Sequence, residues 1–290
     1  MSDTVAARTP FQRAQDRFTR NRPALFAFCW LAILALLAGA ALVLGPHGYD
    51  QIYWDRIGEP PDLSTGHIFG TDYNGRDLFA RTMLGVVVSF SIGILSAIVS
   101  LVIGVIYGAV SGYVGGRTDL IMMRIVDGLY AVPFMFFIII VVVLFGRSIV
   151  LLFIAVGAIQ WLTMARIVRA QTLSIKKSDY ITAARFSGAP PWRILSRHVA
   201  PNLTGVLIVY LTLIIPDVIL IESFISFLGL GVQEPMTSLG VLIADGAKEI
   251  YTAPWLLAFP SLTLMTILFA LSLLGDGLRD ALDPKSEAIS

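Results

Sequence analysis

The sequence predicts an all-α polytopic membrane protein with six transmembrane helices and both termini on the cytoplasmic side. Three observations predict it: an apolar composition, six long apolar runs, and the way lysine and arginine divide among the segments joining them. Hydrophobic residues make up 56% of the chain and charged residues 14%, against about 45–50% and about 25% in soluble domains. The net charge of +1 says nothing about partners, and no nucleic acid is expected among them.

A hydrocarbon core of about 30 Å calls for about 20 mostly apolar helical residues. Runs of that kind occupy residues 24–44, 86–111, 121–145, 149–167, 203–228 and 254–274. Only Gly146-Arg147-Ser148 separates the third from the fourth, so a tight helical hairpin is expected there. With the N-terminus inside, sixteen lysines and arginines fall in cytoplasmic segments or at the inner ends of the runs beside them; Arg56, Arg76, Arg81, Arg147 and Lys248 fall outside. Basic residues stay on the cytoplasmic side, and the ratio sets the orientation.

The chain then divides into a basic cytoplasmic segment (1–23), a first helix (24–44), an extracytoplasmic segment (45–85), a five-helix core (86–275) and a cytoplasmic tail (276–290). Ala38-Gly39-Ala40 resembles a signal cleavage site. The apolar run around it is longer than the usual signal core of about 7–15 residues, so an uncleaved helix is the preferred reading. In the first segment, Arg13, Arg17 and Arg20 alternate with Phe11, Ala14 and Phe18 at helical spacing. This fits either an amphipathic helix on the anionic inner leaflet or a plain topology signal. The single cysteine, Cys29, forms neither an internal disulfide nor a cysteine-based metal site.

The second run carries Ser96, Ser100, Gly104, Gly108 and Gly112, small residues at every fourth position. Small residues let helix backbones approach closely in lipid, so Gly104, Gly108 and Gly112 are assigned to helix packing. Asp217 and Glu222 lie inside the fifth run, where a carboxylate costs about 2.5–3.5 kcal/mol. Five helical residues turn the chain by about 140°, so the two point apart. They line a polar pathway or gate, or are protonated or paired with a neighbouring helix. Arg124 and Asp127 are spaced for an ion pair within one helix. Pro133, Pro216 and Pro260 are expected to kink their helices.

Outside the membrane, Asp72, Asn74 and Asp77 are spaced loosely like a calcium loop. However, the glycine is misplaced and no glutamate follows in register, so a turn at Asn74-Gly75 is the better reading. No cluster around His47 and His67 points to a metal. The chain has no P-loop, nucleophile elbow or zinc-protease motif, so neither catalysis nor a bound cofactor is expected of it.

The loop 169–202 is too long for a simple helix connection. Ser178 or Asp179 can cap a short helix, Ala183 and Ala184 give it small faces, Gly188 can end it, and Pro190-Pro191 forces a break. A short helix over 179–187, lying parallel to the membrane, suits docking into a groove on a partner.

This loop resembles the EAA loop of binding-protein-dependent ABC importers, whose pattern is Glu-Ala-Ala-x3-Gly-x9-Ile-x-Leu-Pro. It matches at Ala183, Ala184, Gly188 and Pro201 and departs at Thr182, His198 and Ala200. Thr182 cannot make the ion pair a glutamate would. Gly70-Thr71-Asp72, Gly75-Arg76-Asp77, Ser226-Phe227-Leu228-Gly229-Leu230-Gly231 and the tail from Gly275 to Pro284 are similar to the peptide/nickel permease group. Pro133-Phe134-Met135-Phe136-Phe137, Met164-Ala165-Arg166-Ile167-Val168-Arg169 and Glu222-Ser223-Phe224 are closest to its oligopeptide C-type permeases.

The resemblance implies the type I ABC importer permease (MetI-like) fold and a five-part importer in the bacterial plasma membrane. A homologous B-type permease, two cytoplasmic ABC ATPases that bind ATP and Mg, and an extracytoplasmic peptide-binding protein would be the partners. Asp179, Thr182, Ala183, Ala184, Arg185, Gly188 and Pro201 would couple the chain to an ATPase. Dipeptides, nickel or another small solute are the alternative cargo.

Overall fold

A computed structural model describes residues 10–146 and 148–282. Among them the chain is helical apart from three isolated β-bridges. The helices are α1 (Pro10–Arg20), α2 (Arg22–Leu44), α3 (Leu78–Val114), α4 (Gly116–Tyr130), α5 (Phe134–Phe145), α6 (Ile149–Ile175), α7 (Asp179–Phe186), α8 (Pro191–Ile194), α9 (Ala200–Phe227), α10 (Leu239–Lys248) and α11 (Trp255–Leu282). A π-helical turn, Leu195–Val199, joins α8 to α9. Five helices are long and apolar enough to cross a membrane, and a sixth crossing results if α4 and α5 together form one broken span.

The run expected over 121–145 is not one rod. α4 and α5 are bent by 76° across Ala131-Val132-Pro133. Proline lacks an N–H and pushes the preceding residue away from helical backbone. Pro216 and Pro260 instead stay inside α9 and α11. Other spans overrun their expected limits. α3 starts at Leu78 rather than residue 86, because the Asp77 carboxylate caps it by accepting from Ala80 N at 2.7 Å. α11 continues to Leu282 rather than 274, and α9 is fed by helical backbone from Pro191. The Arg147 of the hairpin, the side chains of Phe11 and Arg13, and the tail beyond Leu282 lie outside the described residues. α1 packs against α11 and α2, with Ala14 and Phe18 half-buried.

The most extensive helix pair is α3 on α6. A Cβ on Gly104 would stand 2.5 Å from the Met164 Cβ, on Gly108 2.3 Å from the Ala165 carbonyl oxygen, and on Gly112 2.8 Å from that of Arg169. The stripe therefore lets two backbones touch. Ser96 Oγ donates to the Phe153 carbonyl at 3.0 Å across the same seam. At its end, Asp119 of α4 accepts a bidentate pair from Arg169 of α6 and a 2.6 Å bond from Ser111 Oγ of α3. Bidentate arginine–carboxylate pairs are the strong ones, and this one ties three helices together. Asp127 pairs with Arg166 of α6 at 2.8 Å rather than with Arg124, because α6 brings its guanidinium alongside.

Residues 45–77 fold over the opposite end of α3. Asp72 Oδ1 accepts from Asn74 N and Arg76 N at 2.9 and 2.8 Å, with Gly75 at φ +72°, which is the expected turn. Asp72 Oδ2 takes Arg76 Nε at 2.9 Å, and Arg76 reaches Glu234 at 2.9 Å. The absence of a histidine cluster is corrected here: ligand-type atoms of His47, His67 and Asp77 lie within 4.8 Å of one another. Turns between residues 45 and 77, invisible as a spacing, bring them together. Most of their capacity is already used. His67 Nδ1 is 2.8 Å from Asp77 Oδ2, and His47 Nδ1 is 2.7 Å from the Tyr53 hydroxyl. Burial first, and then the Asp77 carboxylate, raise the Tyr53 hydroxyl above its ordinary pKa, keeping it neutral. His47 Nε2 is buried with no hydrogen-bond partner among the described residues. The two imidazoles stack at 4.2 Å and 21°, so their in-plane lone pairs run side by side rather than converging. The geometry is a clasp of the segment onto the capping residue of α3.

Two outcomes follow. Gly108→Leu should prevent α3 from seating on α6 and sharply lower recovery of folded chain from the membrane, measured by size-exclusion profile; a wild-type profile would show that the close approach is dispensable. Asp77→Ala removes a cap and leaves His67 buried without its partner, a loss of about 1–2 kcal/mol. The thermal transition in detergent should fall by several degrees for Ala and much less for Asn, which still caps.

Candidate functional site

The short helix forms as the sequence leads one to expect, over Asp179–Phe186. Ser178 sits at its N-cap but caps through backbone only: Thr182 N donates to the Ser178 carbonyl at 3.2 Å, while Ser178 Oγ donates back to the Ile175 carbonyl. Asp179 lies in the first turn and Arg185 in the last, both favourable to the helix dipole. At the other end, Gly188 takes φ +76°, Gly188 N donates to the Arg185 carbonyl and Ala189 N to that of Ala184. This is a glycine-terminated helix end, which residues with a Cβ rarely adopt.

Ala183 and Ala184 do not share a face. Ala184 packs with Ala189 against the main apolar core, whereas Ala183 is exposed with Thr182 and Arg185. The anchor is Ile181, fully buried in that core with Ile194 and Val199. The Arg185 guanidinium lies 5.1 Å from the Tyr113 ring centroid at the end of α3. The helix is thereby clamped to the α3–α6 unit. Its outer side presents Tyr180 and Phe186, with Trp192 beyond the break, at 46%, 89% and 65% exposure. These aromatics were missed from the sequence, where attention fell on the alanines; an aromatic in a polar loop was the available signal.

Pro201 lies in the first turn of α9, directly after the π turn. Ala200 N reaches back five residues to the Leu195 carbonyl. Asn202 Nδ2 donates to the His198 carbonyl at 2.6 Å. The widened turn lets helical backbone run past a proline without a free break.

Asp217 and Glu222 part company. Glu222 is fully buried where α3, α9 and α10 cross. Its Oε1 accepts from Ser226 Oγ at 2.7 Å and its Oε2 from Ser89 Oγ at 3.2 Å, and Ser238 Oγ donates to Ser226 Oγ at 3.3 Å. Asp217, on another side of α9, lines a cavity of about 600 Å³ between the α4–α5 break, α6 and α9. Gln160, Thr163 and Tyr130 share its wall. Tyr130 and Thr163 share a hydrogen bond at 2.5 Å. The cavity residues on α6 were not singled out from sequence, though Gln160 and Thr163 stand three apart in an apolar run.

Residues 100–287 match the family described as binding-protein-dependent transport system inner membrane component, and residues 9–61 match the N-terminal TM domain of oligopeptide transport permease C. The chain is 48% identical to the oligopeptide transport system permease protein OppC of Escherichia coli, over 97% of this chain and 93% of that one. It is 48% identical to OppC of Haemophilus influenzae over 97% and 90%. It is 42% identical to the dipeptide transport system permease protein DppC of Bacillus subtilis over 94% and 85%. The α7 loop, the stripe of Gly104, Gly108 and Gly112 and the broken span all fall inside residues 100–287. The chain belongs to the binding-protein-dependent transport system inner membrane components, the permeases of ABC importers, and within them to the oligopeptide permease C group.

Proposed function

We propose that this chain is the C-type permease of an ATP-driven oligopeptide importer in the bacterial plasma membrane, with six crossings and both termini cytoplasmic. It would form the translocation pathway with a homologous B-type permease. Two ABC ATPases would supply ATP and Mg chemistry, and an extracytoplasmic binding protein would deliver the peptide. The observation that carries this reading is α7: a helix anchored by Ile181 that turns Tyr180, Phe186 and Trp192 to solvent. Exposed aromatics beside polar positions are what a docking interface needs. The identity to oligopeptide permeases selects the cargo, and the dipeptide relative at 42% keeps shorter peptides as the second reading.

The role of each residue follows from its place. Asp179, Thr182, Ala183 and Arg185 meet the ATPase, Ala184 faces inward to fix the helix, and Gly188 and Pro201 shape its exits. ATP draws the ATPases together and moves α7. Because α7 is bolted to Tyr113 and the α3–α6 seam, which Gly104, Gly108 and Gly112 keep close, the displacement reaches the membrane helices as a rigid motion between two states. Asp217 faces the pathway. Glu222 and its serines form the joint on which α9 moves against α3 and α10. The chain itself needs no cofactor for this.

In the reconstituted importer, Gly188→Val forces a β-branched residue to positive φ and should abolish peptide-stimulated ATP hydrolysis with membrane insertion intact; wild-type stimulation would remove the coupling assignment. Phe186→Ala should loosen the ATPase by about 2 kcal/mol or more, as loss of a central aromatic anchor does. Co-purification after washing would read this as a loss of ATPase from the complex, and full retention would place the dock elsewhere.

A further inference from the structure

The cavity beside the α4–α5 break has one feature that a general pathway does not require. Asp217 is exposed on α9, about 15 Å in from the end of the helix at Phe227. Among the described residues its carboxylate has neither hydrogen bond nor ion pair, and it is the single ionisable carboxylate among the cavity's lining residues. On the facing helices Asp127 and Arg166 pair with each other at 2.8 Å. The end of α4 and the start of α5 both border the cavity, so their opposed helix-end charges offset. What remains is one unpaired carboxylate in a mostly apolar chamber.

A lone carboxylate at this depth is costly unless a cation or water meets it. At about 600 Å³, the chamber lies in the range of about 300–1,000 Å³ that holds small ligands, room for a few residues of an extended peptide. Its walls, including Phe134, Phe137 and Leu220, suit side chains of any apolar type. A peptide always carries a backbone, and an unblocked one an ammonium at its start.

We propose that this cavity is a substrate subsite in which Asp217 binds a cationic amine of the transported peptide, the α-ammonium or a lysine side chain. Gln160 and Thr163 stand on the same wall as neutral hydrogen-bonding groups for peptide backbone. The inference rests on the peptide-permease reading and adds the recognised chemical group to it.

The test uses the complete importer in proteoliposomes with saturating binding protein, comparing wild type, Asp217→Asn and Asp217→Glu. The substrates are trialanine and Nα-acetyl-Ala-Lys-Ala, whose only amine is on the side chain. Asp217→Asn should lower the maximal uptake rate of trialanine about tenfold or more with complex recovery unchanged, and Asp217→Glu should recover most of it. Loss for trialanine alone assigns the α-ammonium; loss for both assigns any amine. Unchanged uptake in Asp217→Asn overturns the subsite. So does a loss matched by poor complex recovery, which would mean that a cation of the partner permease covers the carboxylate. A wild-type importer that takes up neither peptide would instead remove the peptide reading itself.

Discussion

The contact on which the rest of the molecule depends is the backbone approach of α3 to α6. In lipid there is no gain from hiding apolar surface, because the solvent is as apolar as the side chains. Dispersion and a few interhelical hydrogen bonds must hold the pair, and both fall off steeply with distance. Glycine at 104, 108 and 112 removes the atoms that would hold the helices apart. Gly157 reciprocates from α6, where a Cβ would come 3.1 Å from the Val99 Cβ. Everything at the α7 end is then placed by this seam. Arg169 reaches Asp119 because α6 lies so near α3, and Tyr113 is fixed where Arg185 can cover it.

This arrangement makes a lever out of short pieces. A helix of eight residues has little stability of its own, and α7 borrows it from Ile181 in the core. The π turn has the same logic on the other side. A proline at 201 would break a regular helix, yet the widened turn and the Asn202 amide keep backbone groups paired. The exposed aromatics are therefore carried on helical backbone anchored in the core rather than on a loose connection.

How much of this could be read beforehand depended on the range of the interaction. Five long apolar helices, the glycine stripe, the short helix with its Gly188 end and the Asn74-Gly75 turn are local patterns with local causes, and they were readable. The α4–α5 break was half readable: Pro133 announced a kink, but an angle of 76° depends on what α5 packs against. The meetings of Asp127 with Arg166, of Arg169 with Asp119, and of His47 with His67 and Asp77 join residues brought together by tertiary packing. No spacing rule contains them. Ala183 and Ala184 were readable as small faces of the helix, but which of them turns inward was not: consecutive helical residues are about 100° apart, and the core takes only Ala184.

The contrast between Asp217 and Glu222 shows why a carboxylate in a membrane helix cannot be interpreted by position alone. Both sit on α9, five residues apart, at similar expense to insertion. Glu222 is enclosed by serine hydroxyls from three elements, with Gly85 and Gly240 admitting the neighbouring backbone close beside it. A group so fully partnered is part of the joint, and moving it means breaking several hydrogen bonds at once. Asp217 has no partner within the described chain and looks into open volume. Buried polar groups are expensive when unpaired and nearly neutral when satisfied. The first residue is therefore stable as built, while the second is left to be completed from outside the chain. The same type of side chain on one helix thus makes two different contacts: a closed polar one that joins α9 to α3 and α10, and an open one that faces a cavity.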